Sequence, residues 1–167
     1  MNDEKICEGA CACGAVRYRL EATPLVVHCC HCTWCQRETG AAFALNAMLE
    51  AANVTLLQGE PEPVATPSQS GKGQTIWRCP DCRVAVWSTY AGAGEKLRFM
   101  RVGTLDAGHD IKPDVHIYTS TKQSWVLLPD GVPQYAEYYP AREVWPPDSI
   151  ARIRAVRMDD NAGTNSP

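Results

Sequence analysis

The chain has 167 residues, 45% of them apolar and 21% charged, with a formal net charge of −3 and an isoelectric point near 5.8. That length suits one domain with an ample core. The mild acidity argues against sequence-independent phosphate binding, and hence against a nucleic-acid partner. No apolar run approaches the roughly 18 residues that a membrane span needs. Met1-Asn2-Asp3-Glu4-Lys5 leads into no apolar block, so no secretory signal is visible and the expected compartment is the cytoplasm. In that reducing setting, nine cysteines, an odd number, argue against a disulfide framework.

Taken in chain order, the elements are mostly short strands. After a solitary Cys7 comes Cys11-Ala12-Cys13-Gly14. If extended, its two cysteines point to one face and can reach one ion, and Gly14 lets the backbone turn beside it. Val16, Tyr18 and Leu20 alternate with Arg17 and Arg19 as in a half-buried strand. Leu25-Val26-Val27 leads into Cys29 and then Cys30-His31-Cys32-Thr33-Trp34-Cys35. Strand alternation turns Cys29 and His31 away from Cys30 and Cys32; Cys29 reads as core, and His31 as a possible proton carrier. Thr33 to Glu38 can turn once as helix, and Phe43 to Leu49 and Val54 to Leu57 read as strands. Residues 59–74, rich in proline, glycine, serine and glutamine, read as a long exposed loop. Thr75 to Arg78 and Val84 to Tyr90 flank Cys79-Pro80-Asp81-Cys82, a metal knuckle at the turn of a hairpin. Leu97 to Leu105 and Val115 to Tyr118 complete the strands. Asp148 is placed to cap a helix over Ser149 to Val156. The expected organisation is one zinc-binding domain over 1–145, a short helix over 146–158 and a disordered tail over 159–167.

Seven cysteines therefore fall into three tight groups, and all-thiolate ligation favours zinc over magnesium or calcium. The simplest partition uses two ions. Cys11, Cys13, Cys79 and Cys82 make a closed four-thiolate site. Cys30, Cys32 and Cys35 make a three-thiolate site with one position open. A closed site reads as structural and an open one as chemical. An iron–sulfur cluster is the competing reading, although the runs do not fit the common ferredoxin spacings.

The order C-x-C-G, then C-H-C-x-x-C, then C-P-x-C resembles the glutathione-dependent formaldehyde-activating enzyme family, which includes the centromere protein V domain. Gln36 to Phe43, Pro113-Asp114-Val115-His116-Ile117-Tyr118 and Ser124-Trp125 extend the resemblance over roughly residues 7–140. It implies a zinc-stapled β-tent of small antiparallel sheets. It also implies the partition above, with Cys11, Cys13, Cys79 and Cys82 structural and Cys30, Cys32 and Cys35 catalytic. The implied activity is that of a carbon–sulfur lyase acting on glutathione and formaldehyde.

Two zinc ions per chain, with glutathione as substrate, are the expected cofactor set. The open position suits a substrate thiol held as thiolate, a small aldehyde adds at its sulfur, and His31 and His116 are candidates to carry the proton. Arg37 is the nearest cation for a glutathione carboxylate, and Lys122 and Trp125 are weaker candidates for the same cleft. The competing reading is a zinc-scaffolded binding module in which both ions are structural, the second closed by Cys29 or a histidine. No role for Cys7 follows from the sequence.

Overall fold

The computed structural model describes residues 7–163. Residues 1–6, and residues 164–167 of the expected tail, lie outside the described residues. The larger sheet has seven strands in the order β10-β3-β4-β9-β8-β7-β6, and a second sheet has three in the order β1-β2-β5. In chain order these are β1 (Cys7–Ala10), β2 (Arg17–Leu20), β3 (Val26–Cys30), β4 (Ala44–Glu50), β5 (Val54–Gln58), β6 (Glu62–Thr66), β7 (Gln74–Arg78), β8 (Ala85–Tyr90), β9 (Gly94–Arg101) and β10 (Val115–Ile117). Helix α1 (Thr33–Thr39) follows β3, and α2 (Pro147–Gly163) closes the described chain. The fold is mostly β, as expected. The strand pairings are antiparallel except that β10 runs parallel to β3.

Side-chain alternation on the large sheet builds a core on each face. On one face, Ala47 and Leu49 of β4 and Met100 of β9 pack with Val16, Tyr18 and Leu20 of the small sheet. Tyr18 meets Trp87 edge to face, with ring centroids 6.1 Å apart. Gly9 is required here, because a Cβ would lie 2.6 Å from the Thr104 carbonyl and 2.7 Å from the Tyr18 ring. On the other face, Ala44 and Met48 of β4 and Leu97 of β9 pack with Cys30, Cys32, Cys35, Val115, Ile117 and Ile153.

Several local expectations are corrected. The segment 59–74 is not all loop, since Glu62–Thr66 pairs with β7. As the last strand of its sheet, β6 tolerates Pro63, which lacks an N–H. Strand β9 stops at Arg101 and gives way to a 3-10 turn over Val102–Thr104. Strand β10 stops before Tyr118, whose backbone is left-handed at φ 56°. Helix α2 begins at Pro147, so Asp148 lies in its first turn rather than capping it, and the helix continues to Gly163.

Glu50, at the end of β4, anchors α2. Arg152 Nε donates to Glu50 Oε1 at 2.8 Å, its Nη2 to Oε2 at 2.5 Å, and its Nη1 to the Thr23 carbonyl at 2.9 Å. Burial pushes the Glu50 carboxyl up, but the Arg152 guanidinium, the Glu50 backbone N–H and Asn53 together outweigh it and hold the group below its ordinary value. Arg152→Ala is expected to cost about 1–3 kcal/mol in denaturant unfolding near neutral pH, because it strands a buried carboxylate. A depressed carboxyl contributes stability above its unfolded pKa, near 4.3, and loses it as pH falls through the lower folded value. The gap between wild type and variant should therefore hold steady above about pH 5 and narrow as pH falls further. A gap that widens in acid would contradict this account.

Candidate metal centres

Each thiol group is positioned by a tight turn. Cys11 follows β1, and its N–H donates to the Val16 carbonyl at 3.0 Å while its own carbonyl accepts from Gly14 at 3.1 Å. Cys79 repeats the device: its N–H donates to the Val84 carbonyl at 3.0 Å and its carbonyl accepts from Arg83 at 3.0 Å. The turning residues are both left-handed, Gly14 at φ 78° and Arg83 at φ 63°. The first pair is thus carried on a turn, not on the extended strand expected from its spacing. The Val16 N–H also donates to Cys11 Sγ at 3.3 Å, a bond that favours thiolate.

The two turns bring Cys11, Cys13, Cys79 and Cys82 together, with all four Sγ atoms within 4.8 Å of one another. Cys11 Sγ lies 3.5 Å from Cys13 Sγ, which lies 3.7 Å from Cys79 Sγ. Four sulfurs placed about 2.3 Å from one zinc define a tetrahedron with edges of about 3.8 Å. The donor set therefore fits zinc without rearrangement. Backbone N–H groups of Val84 and Cys13 pull the Cys82 thiol down to about 6. All nine cysteines are free thiols, so no disulfide competes for these sulfurs.

Cys30, Cys32 and Cys35 form the second group, again within 4.8 Å and all buried. Cys30 ends β3, Cys32 is the N-cap of α1, and Cys35 lies in the first turn of that helix. The Cys35 N–H donates to Cys32 Sγ at 3.3 Å. Cys32 is pulled down to about 3, by its contacts with the Cys30 and Cys35 thiols and by backbone N–H groups. Contacts with the Cys32 and Cys35 thiols, and then burial, push Cys30 well up. No fourth His, Cys, Asp or Glu joins this group among the described residues.

Arg101, which the sequence does not single out, faces this trio from β9. It is 9% exposed and donates to Asn46 Oδ1 and, at 2.9 Å, to Ser88 Oγ. The Cys30 contact and, more weakly, the Arg101 charge lower Cys35, but the Cys32 contact and burial push that thiol up to about 12. Tyr118 packs against the same cluster, and burial and then the Cys30 and Cys32 charges keep its hydroxyl protonated. Nothing in a linear sequence marks a buried arginine or a left-handed tyrosine.

Arg37 is exposed, sits 5.9 Å over the Trp34 ring and lines clefts on both sides of α1. The larger cleft, about 830 Å³, also includes Gln36, Gln123 and Trp125, the last 71% exposed. None of the three thiols lines either cleft. Lys122 is tied into its own loop, its Nζ donating to the Val126 carbonyl at 2.7 Å. His31 and His116 are brought together, Nε2 to Nδ1 at 3.0 Å, but beside Cys29 rather than among the catalytic candidates. Cys7 joins neither thiol group: its Sγ lies 3.6 Å from the neighbouring Glu8 carbonyl and the residue packs against the core that holds Tyr18.

Residues 6–121 match the family model described as glutathione-dependent formaldehyde-activating enzyme. The chain belongs to this family. The match spans the four-thiol group, the three-thiol group and β10, so the family's segment and the metal-competent geometry coincide. A crystal structure of a Rhodobacter sphaeroides protein is similar at 17% identity, with a TM-score of 0.44, covering 64% of this chain and 91% of that one. No curated protein matches. The family's named activity is on small molecules, glutathione and formaldehyde. Among the described residues no helix is long and apolar enough to cross a membrane.

Proposed function

We propose that this chain catalyses the addition of a small thiol, glutathione in the first instance, to formaldehyde or a related small aldehyde, with Cys30, Cys32 and Cys35 at the reacting centre. The direction named is the reverse of a carbon–sulfur lyase. The thiol sulfur bonds to the carbonyl carbon, the carbon–oxygen π bond opens, and the proton leaving sulfur is matched by one gained at the new hydroxyl. The observation that carries this reading is the contrast between the two thiol groups, one completed by a fourth cysteine and the other left at three.

In this reading Cys11, Cys13, Cys79 and Cys82 hold a structural zinc, and Cys30, Cys32 and Cys35 hold a second. When bound there, that zinc offers a free coordination position that favours the thiolate form of a substrate thiol. The chain does the rest. Arg101 offsets the negative charge of the thiolates, and the protonated Tyr118 hydroxyl, on a residue packed against the same cluster, supplies the oxygen's proton. Arg37, at the mouth of the clefts beside α1, meets a carboxylate of the tripeptide.

The test follows exchange between formaldehyde and S-hydroxymethylglutathione by NMR, with and without protein. Acceleration proportional to protein concentration, abolished by stripping the metal and restored by zinc, is the expected result. An exchange rate equal to the spontaneous one at every protein concentration would leave only the zinc-scaffolded binding module.

A further inference from the structure

Strand β3 carries cysteines on both faces. Cys30 faces the three-thiol group, and its neighbour Cys29 faces the other way. Directly opposite Cys29, in the parallel pairing of β10 with β3, stands His116. His31, one residue beyond the strand, closes the group from the same side as Cys29. Cys29 Sγ lies 3.5 Å from His31 Nε2, which lies 3.0 Å from His116 Nδ1, and all three ligand atoms fall within 4.8 Å. The residues are 2%, 0% and 5% exposed.

Hydrogen bonding does not satisfy this arrangement. His31 Nε2 carries either one proton or one lone pair, yet two partners converge on it. A proton on that nitrogen serves one partner and turns away from the other. A cation among the three atoms meets a lone pair from each. For zinc, with bonds of about 2.05 Å to nitrogen and 2.3 Å to sulfur, tetrahedral edges are about 3.3 Å between nitrogens and 3.6 Å between nitrogen and sulfur. The separations from His31 Nε2, 3.5 Å to Cys29 Sγ and 3.0 Å to His116 Nδ1, lie within a few tenths of these, and the third pair is within 4.8 Å.

The surroundings hold the donors in place. The His31 carbonyl accepts from Gln36 Nε2 at 2.7 Å and from Thr121 Oγ1 at 3.1 Å. The ring sits edge-on to Phe43, centroids 5.4 Å apart. His116 N–H donates to the Pro133 carbonyl at 2.9 Å, and its own carbonyl accepts from Tyr135 N–H at 2.9 Å, so β10 is fixed on both sides.

We propose that Cys29, His31 and His116 form a third transition-metal site, taking a borderline-soft divalent ion, zinc foremost, through one thiolate and two imidazoles. A donor set without carboxylates does not select magnesium or calcium. The outer nitrogens, His31 Nδ1 and His116 Nε2, are buried without a hydrogen-bond partner. Ligand histidines ordinarily donate that second N–H to an acceptor, and its loss weakens a site about 10- to 100-fold. The third site is therefore the weakest of the three and loses its ion first to a chelator.

The experiment is a zinc count on the full chain by plasma mass spectrometry against protein, with buffered free zinc raised about a hundredfold or more past the level that saturates both thiolate groups, so that a site weaker by that factor also fills. The expected result is three ions in wild type, and one fewer in Cys29→Ala and in His116→Gln, each with unchanged circular dichroism. Cys32→Ser should subtract a different ion, so that Cys29→Ala with Cys32→Ser loses two. Cobalt loading separates the sites as well, because Cys29→Ala removes a single-thiolate charge-transfer contribution and Cys32→Ser a three-thiolate one. Equal ion counts in wild type and Cys29→Ala would overturn the proposal. Should both variants fail to fold, a wild-type count of two, with both thiolate groups occupied, overturns it equally. Neither result bears on whether the three-thiol group reacts with glutathione.

Discussion

Cys79→Ser protein is expected to fail to reach the folded state. Cys79 is fully buried and brings its sulfur within 3.7 Å of Cys13, from the opposite end of the zinc-binding segment. The contact joins the β1–β2 turn of the small sheet to the β7–β8 turn of the large one. Structural zinc contributes about 10–16 kcal/mol in small metallodomains, comparable with the whole 5–15 kcal/mol stability of an ordinary domain. A serine oxygen is a hard donor and a poor replacement for a thiolate. The variant should be recovered aggregated, or soluble with its near-ultraviolet dichroism lost, and Cys82→Ser should behave alike. Cys7→Ser, at a cysteine outside the thiol groups, is the control and should shift the unfolding midpoint little. A cooperatively folded Cys79→Ser protein with its full zinc content would remove the four-thiol group from the fold's support.

The second large effect separates chemistry from folding. Cys32→Ser should lose one zinc and drop glutathione-dependent turnover to the spontaneous rate, while the thermal transition stays cooperative. The reason lies in the position of Cys32 as N-cap of α1, where its sulfur accepts the Cys35 N–H. Serine is among the favoured N-caps and can take over that bond, so the helix keeps its start. Zinc content and turnover, measured beside a melting curve, give the answer. Unfolding as complete as that of Cys79→Ser would show that both groups are structural.

The residues tell how far the sequence could be read. Val16, Tyr18 and Leu20 announced β2 because one face is buried and the other is not, which imposes a period of two. The hairpin around Cys79 was legible because its turn chemistry is local. Strand β6 was not, because an edge strand need bury neither face, and Pro63 reads as a breaker until its place at the sheet edge is known. At the site, the grouping of seven thiols followed from spacing alone. The meeting of Cys29 with His116 did not, because it depends on a parallel pairing across 87 positions of chain, and strand register across that distance leaves no local mark. Arg101 stayed hidden for a similar reason: in a strand read from Leu97 to Leu105 it passes for one more solvent-facing charge, and only the arrangement of β4, β8 and β9 buries it.

The separation of 66 positions between Cys13 and Cys79 also sets an order of assembly on the ribosome. At about 5–20 residues per second, Cys13 is made roughly 3–13 s before Cys79. The trio of Cys30, Cys32 and Cys35 is complete long before that, within six consecutive residues. With zinc in both groups as proposed, a nascent chain short of metal would fill its local, three-thiol group first and leave Cys11 and Cys13 waiting, open to oxidation or to capture of the wrong ion. Metal scarcity during synthesis should thus show itself as misfolded chains that already carry one zinc.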